Sequence, residues 1–441
     1  MTLEQSIEHY AGTAPERTAL VCGEQTLSYS ALWEAIVRKE EELRGEGLKA
    51  GRPYIWRSSG DCLFVVTYCA VHRLGAIAVP LEQGAPEESF LAIKRQTEAQ
   101  TYAPGISDIL YTTGTTGQSK GVMLSETALC SCADNFINAF GFDSGLCMIV
   151  SGPLNHIASL FKIHPTLTAG GAVCIINGLR DPNLFFEALE LPFDGFAAFL
   201  VPASIHILLS FSAQRLASHS GKIRFIETGA APISSADMAA LAECLPHSDL
   251  WNTLGGTEFG AVCTYNFNDG RYMEGCIGRP MKNSTVEVDA EGSISISGPT
   301  LMSGYVADPE SSAKVLKDGV LRISDRGFVD EDGLIHLTGR ADDVINVGGF
   351  KIDPVEVENA AGSHPDIEDC LCVAAAHPLL GTVLKLLVVP KQGRSLDKRS
   401  IALHIKARLE PYKIPTYYEA VPSIKRTFNG KADRKAYRLG L

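Results

Sequence analysis

The chain has 441 residues, of which 45% are hydrophobic and 20% charged, and carries a formal net charge of -12. That length exceeds one ordinary hydrophobic core and implies one large domain plus a smaller one, or three small ones. The acidic balance excludes binding nucleic acid through a broad basic face, and no apolar run reaches the length of a membrane span. The twelve cysteines are scattered, and the close pairs Cys130/Cys132 and Cys370/Cys372 lack the spacing and partners of a zinc site. Together with a start, Met1-Thr-Leu-Glu-Gln-Ser, that has neither a basic region nor an apolar core, they imply a reducing, cytoplasmic setting.

From Leu27 to Leu43 apolar residues recur at helical spacing, with Ser28 or Ser30 placed to cap. Cys62 to Leu74 predicts a more apolar helix ended by Gly75, Ala76 to Pro80 a buried strand, and Glu82 to Gln100 a single helix. Asp108-Ile-Leu-Tyr111 then runs into Thr112-Thr-Gly-Thr-Thr-Gly-Gln-Ser-Lys120. Gly114 and Gly117 let backbone N–H groups approach an anion; Thr112, Thr113, Thr115, Thr116 and Ser119 add hydroxyls, and Lys120 a point charge. The stretch reads as a phosphate cradle or as a Gly/Thr-rich surface loop. Its spacing is not that of a Walker loop, since Lys120 is followed by Gly121.

Further on, Met148 to Gly152, Ala172 to Ile176 and Phe196 to Pro202 read as strands, with a helix from Ile205. Ile223 to Pro232 is a strand ending in the small residues Gly229, Ala230 and Ala231. Leu321 to Gly333 carries an Asp-Gly hairpin signal, Thr382 to Val389 is a strand and Lys398 to Leu409 an amphipathic helix. Strands alternating with helices imply a parallel, helix-covered sheet.

The loop ending at Lys120 resembles the signature of the adenylate-forming superfamily: acyl- and aryl-CoA synthetases, peptide-synthetase adenylation domains and luciferases. Other stretches of that family follow in the expected order: Asn252-Thr-Leu-Gly-Gly-Thr-Glu-Phe-Gly260, Leu321 to Gly333, Leu337 to Ile352, and Lys425-Arg-Thr-Phe-Asn-Gly-Lys431. The resemblance spans about Leu27 to Lys435 and looks most like carboxylate-CoA ligases. It implies an α/β fold, with a large domain of helix-covered, mostly parallel sheets over residues 1–341 and a small mobile α+β domain over 342–441. The short stretch between Pro80 and the loop implies a trimmed first subdomain.

By the same resemblance, Thr112 to Gly117 and Lys120 hold the leaving phosphates of ATP. Gly229, Ala230 and Ala231 let the backbone meet adenine, and Leu254 and Gly255 adjoin the nucleotide, Leu254 standing where relatives often carry an aromatic residue. Thr257 reaches the phosphates and Glu258 a Mg²⁺ ion, Asp325 grips the ribose hydroxyls and Arg340 the ribose or phosphate. Asp342 is the hinge, Gly348 and Gly349 face an incoming pantetheine, and Lys431 reaches the substrate carboxylate and the α-phosphate. His156, in Pro153-Leu-Asn-His156, lies at the mouth of the carboxylate pocket. No acid stands near Asn155-His156 to pair an ammonium, which disfavours ordinary α-amino acids.

The implied enzyme is an acid-thiol ligase that uses ATP and Mg²⁺ to turn a non-amino, apolar acid, aryl or short to medium acyl, into acyl-AMP and passes it to coenzyme A. Two alternatives stay open: loading the phosphopantetheine of an acyl carrier protein, and a catalytically silent binder of nucleotide or acyl ligands.

Overall fold

The capping serine expected near Leu27 settles where the first layer begins. After α1 (Leu3–Thr13) and β1 (Thr18–Cys22), Ser28 closes β2 (Gln25–Ser28) and caps α2 (Tyr29–Gly45), its hydroxyl accepting the Ala31 N–H at 3.2 Å. Asp61 caps α3 (Cys62–Arg73) in the same way, and Gly75, at a φ of 64°, ends it in the left-handed region that a residue with a Cβ avoids. The structure is a computed structural model that describes all residues except 113–119, 177, 180, 341–342, 348–349, 379–380, 428–431 and 438–441. It divides into two compact units, Met1–Glu287 with Ser295–Arg322, and Val288–Ile294 with Ile323–Leu441.

The first unit holds two sheets. In one, β3 (Pro53–Arg57), β4 (Ile77–Leu81) and β5 (Ile106–Thr112) are parallel, and β6 (Lys120–Ser125) returns antiparallel to β5. A single helix, α4 (Glu87–Glu98), joins β4 to β5, as the short stretch there predicts. Behind these strands Ile77, Val79, Leu81, Ile109 and Val306 form one apolar cluster.

α5 (Glu126–Phe140) leads to the second sheet, built from β7 (Leu146–Val150), α6 (Ile157–Thr168), β8 (Ala172–Ile175), α7 (Asn183–Ala188), β9 (Gly195–Phe199), α8 (Pro202–Ser218), β10 (Ile223–Gly229), α9 (Ser235–Cys244) and β11 (Asp249–Gly256). The strands lie in the order β11-β10-β9-β7-β8-β1, parallel at every step. All five residues of β7 are buried, so the strand reads as a continuous apolar run rather than an alternation. The strand expected to reach Pro202 stops at Phe199, because Pro202 supplies the first position of α8, where its missing N–H costs nothing. β12 (Gly260–Asn266) and β13 (Cys276–Pro280) continue the sheet antiparallel beyond β11.

After β14 (Thr285–Val288) and β15 (Ser293–Ser297), β16 (Gly304–Tyr305) pairs with β6, and α10 (Pro309–Val315) and β17 (Leu316–Lys317) follow. β18 (Val320–Val329) and β19 (Ile335–Arg340) form the hairpin that the Asp332-Gly333 turn predicts. The second unit adds the β20 (Ile345–Val347) and β21 (Phe350–Ile352) ladder, α11 (Pro354–Gly362), β22 (Ile367–His377), β23 (Gly381–Pro390), α12 (Lys398–Lys406) and β24 (Tyr417–Ala420). β22 and β23 are antiparallel and β23 and β24 parallel, over a core that includes Ile352, Val357, Leu386, Ile401 and Ile405.

Polar groups under the first unit's sheets are tied in pairs. His72 of α3 binds Glu4 through Nδ1 at 2.9 Å and Asp108 of β5 through Nε2 at 3.1 Å. Burial alone would lower the imidazole's pKa, but the Asp108 and Glu4 carboxylates more than reverse that and lift it to about 10. Burial raises the Glu4 carboxyl, yet His72 prevails and brings it to about 2. The imidazolium therefore clamps α1, α3 and β5. Beside it His164 of α6, buried against Tyr68 at 3.1 Å, is held near 4 by desolvation and stays neutral. His164 is a core residue.

Removing one partner of a buried ionic network leaves the others uncompensated, so His72→Gln is expected to destabilise the first unit by about 3 kcal/mol. The pH dependence follows from the two shifted groups. His72, raised from 6.5 to about 10, contributes stability that is complete below the lower value and lost as pH climbs toward the upper. Glu4, lowered from 4.5 to about 2, contributes above the first value and loses that contribution on acidification toward the second. Urea unfolding at about pH 6 and about pH 9 should show the gap between wild type and His72→Gln narrowing at the higher pH.

Candidate active site

The loop of glycines and threonines is the connection between two paired strands. Thr112 at the end of β5 lies opposite Lys120 at the start of β6, so the two strands on either side of residues 113–119 are held in register. Thr113, Gly114, Thr115, Thr116 and Gly117 lie outside the described residues. The stem needs Gly121: a Cβ there would stand 2.8 Å from the Tyr111 ring and 3.0 Å from Val306.

Lys120 is aimed by α10. Asp308 caps that helix and Pro309 takes its first position. The Lys120 ammonium donates to Ser311 Oγ at 3.0 Å, lies 3.6 Å from Asp308 Oδ2, and sits 4.8 Å from the centre of the Tyr305 ring. Hydrogen bonds from Ser311, then the charge of Lys120, hold the Asp308 carboxyl below its usual range. Tyr305 is fixed in turn by pairing with Val122 of β6 and by its N–H donating to Ser312 Oγ at 2.8 Å.

Thr257 and Glu258 form the tip between β11 and β12, where Gly256 pairs with Gly260. The Tyr305 hydroxyl donates to Glu258 Oε1 at 3.2 Å. Burial, then the Glu258 charge, raises the phenol's pKa, so Tyr305 stays protonated and serves as a donor. The lysine of the first motif and the carboxylate of the second, far apart in the chain, thus meet on one aromatic ring. Sequence reasoning missed Tyr305; the available signal was Gly304-Tyr305 just before an Asp-Pro helix start.

The oxygen chemistry of Glu258 suits Mg²⁺, which takes one or two protein carboxylates and fills its other positions with water and phosphate oxygens. Among the described residues, no group of three or more His, Cys, Asp or Glu side chains gathers to hold a metal alone. Glu258 therefore fits the role of single carboxylate ligand to a nucleotide-borne ion.

The expected base-binding edge lies at the end of β10. A Cβ on Gly229 would stand 2.7 Å from the Thr253 carbonyl oxygen, so the two parallel strands approach closely only because it is glycine. Ala230 has a φ of 66°, a left-handed conformation that costs a residue with a Cβ about 1 kcal/mol. Such strain at a strand end marks a backbone held for a purpose. Leu254, in β11 beside this edge, is buried at 9% exposure, whereas Gly255 is exposed.

His156 occupies the N-cap position of α6 without making a side-chain capping bond, so helix capping does not account for the imidazole. Its neighbour Asn155 is buried and accepts a hydrogen bond from Ser58 at 3.3 Å. One and a half turns along α6, Lys162 is buried with its ammonium 2.5 Å from Glu227 of β10 and 3.7 Å from the centre of the Phe136 ring. Burial lowers the lysine pKa and raises that of the glutamate, and each partner's charge opposes the shift. This pair, also missed from sequence, fixes the helix that starts at His156 to the strand that ends at Gly229.

In the second unit Asp325 of β18 lies directly opposite Arg340 of β19, which brings the two expected ribose contacts onto one ladder. Asp342, Gly348, Gly349 and Lys431 lie outside the described residues. No helix among the described residues is long and apolar enough to cross a membrane.

The sequence profile described as AMP-binding enzyme matches residues 106–306, and that described as AMP-binding enzyme C-terminal domain matches 356–431. The chain is 26% identical to an indoleacetate–CoA ligase of Aromatoleum aromaticum, covering 99% of this chain and 98% of the relative. It is 28% identical to a feruloyl-CoA synthase of Amycolatopsis, covering 96% and 95%. Among solved structures, ATP-bound MatB from Rhodopseudomonas palustris superposes with a TM-score of 0.89 at 22% identity, over 99% of this chain and 98% of that one, which establishes a shared fold.

Breaking the buried pair by Lys162→Met should cost about 3 to 5 kcal/mol, since Glu227 is left uncompensated. Lys162→Met with Glu227→Leu should recover most of that loss. Thermal unfolding of both variants checks it, and a double variant no more stable than the single one would contradict the pairing.

Proposed function

The chain belongs to the family of AMP-binding enzymes, and from that membership we propose that it condenses a non-amino, apolar carboxylic acid, aryl or short to medium acyl, with Mg·ATP to give acyl-AMP and pyrophosphate, then transfers the acyl group to coenzyme A. The observation that carries the reading is the Lys120–Tyr305–Glu258 chain, which sets a cation and a carboxylate at the stem of the phosphate loop. The relatives that match over nearly the whole chain are named CoA ligases and synthases, which lends the carrier-protein acceptor no support. Their named acids, indoleacetate and ferulate, are aryl acids without an α-amino group, in keeping with the missing acid beside Asn155 and His156.

A carboxylate attacking the α-phosphorus is an anion approaching a polyanion, so cations must stand between them. Lys120 and the loop hydroxyls of Thr112, Thr113, Thr115 and Thr116 draw on the departing pyrophosphate, Thr257 joins them, and Glu258 would hold Mg²⁺, which would supply charge to neutralise the phosphates. Gly229, Ala230, Ala231, Leu254 and Gly255 border the adenine, Asp325 and Arg340 bind the ribose, and His156 borders the acid. Lys431 bridges the carboxylate and the α-phosphate during adenylation. Rotation about Asp342 then withdraws Lys431 and presents Gly348 and Gly349 to the pantetheine of CoA, so one site serves two half-reactions. In this cycle the large domain is residues 1–341 and the moving one 342–441, a division at the proposed hinge that differs from the compact units, which part at Arg322.

The deciding measurement is pyrophosphate release from Mg·ATP across a panel of aryl, short and medium-chain acids and a few amino acids, with and without CoA. Acid-dependent release that becomes sustained turnover with CoA is expected. Release indifferent to CoA would point to another acceptor, and silence with every acid would return the silent-binder reading. Glu258→Gln should slow adenylation by about 10²-fold or more. Lys431→Ala should lose about 10²- to 10³-fold in adenylation yet still form thioester from supplied acyl-AMP; equal loss of both half-reactions would remove Lys431 from this role.

A further inference from the structure

The catalytic reading uses none of the cysteines, yet two of them stand in contact. Cys22 ends β1 and Cys62 opens α3, and their Sγ atoms lie 2.7 Å apart, across 40 residues of sequence. We propose that Cys22 and Cys62 are an oxidation site that closes a reversible intrachain disulfide when a peroxide reaches it.

The elements supply the geometry. Register with β8 holds the end of β1, Cys22 lying opposite Ile175, and the Asp61 cap holds the first turn of α3. Both sulfurs are therefore delivered by regular backbone. The thiol–thiol hydrogen bond favours the thiolate of one sulfur at the expense of the other; the first-turn backbone N–H groups of α3 favour that of Cys62, while burial and the adjoining Asp61 carboxylate oppose it. Either sulfur can attack first, and the contact places the other to resolve. Cys62 is 1% exposed, and Cys22 is part-exposed and gives a small oxidant its approach.

The steps balance. The thiolate of one cysteine attacks one oxygen of hydrogen peroxide, breaking the O–O bond and giving a sulfenic acid and, after proton transfer, water. The sulfur of the other then attacks the oxidised sulfur, the S–O bond breaks, and a second water leaves. Two thiols are oxidised and one peroxide is reduced. The product ties the end of β1 to the first turn of α3, and so to the 58–61 segment whose Ser58 donates to Asn155 beside His156.

The test uses the full chain, fully reduced and then titrated with hydrogen peroxide, quenched in acid, alkylated under denaturing conditions and mapped by peptide mass spectrometry. The expected result is a Cys22–Cys62 linked peptide and the loss of two of the twelve alkylatable thiols, restored by dithiothreitol. Cys62→Ser and Cys22→Ser should each abolish the linked peptide, whereas Cys174→Ser, at a thiol close to Cys62, should retain it. The proposal is overturned if both thiols still alkylate at peroxide levels that oxidise other cysteines, if the link joins either to Cys174 instead, or if Cys62 proceeds to sulfinic acid without linking. The readout is of thiols alone, so it stands whatever acid the enzyme activates.

Discussion

A chain with a net charge of -12 can hold a nucleotide triphosphate only where it fixes positive charge against its own acidity. Lys120 shows how that is done. A lysine at a loop end is ordinarily a floppy, solvated charge, but here α10 offers it Ser311 and Asp308, and the Tyr305 ring lies beneath it. The same ring passes the constraint to Glu258 through a phenol held protonated by burial. The placement of Lys120, of β16 and of the β11–β12 tip all depends on this one aromatic side chain.

The buried charges elsewhere serve position more than stability. Ion pairs taken out of water gain little over apolar packing of the same volume, so their value lies in what they forbid. His72 accepts one geometry, with a carboxylate on each ring nitrogen, and thereby sets the height of β5 against α1 and α3. Lys162 and Glu227 do the same for α6 and β10, whose ends carry His156 and Gly229.

Much of this was legible in the sequence, and the rest was not for a physical reason. Local signals were faithful: Ser28 and Gly75 bound their helices, Gly333 turns its hairpin, and the alternation of strands and helices specified the parallel sheet. The motif residues Asp325 and Arg340 proved to be register partners, which their spacing across a hairpin allows. What escaped were pairs joined only by the fold. Nothing in the sequence distinguishes Lys162 from a surface lysine of a helix, or Glu227 from a polar residue of an edge strand, until α6 lies on β10. Tyr305 escaped because a two-residue strand has no periodicity to read.

Leu254 ties these strands of argument to chemistry. An aromatic residue at that position would offer a π-face to a flat base; a leucine offers only contact. The neighbouring backbone compensates in kind, with Gly229 permitting close approach and Ala230 held in a left-handed conformation at the strand end. An edge of this kind offers a flat surface and main-chain groups more than a ring to stack on. The polarity it presents is that of the backbone, which is fixed in place because the Lys162–Glu227 pair holds β10.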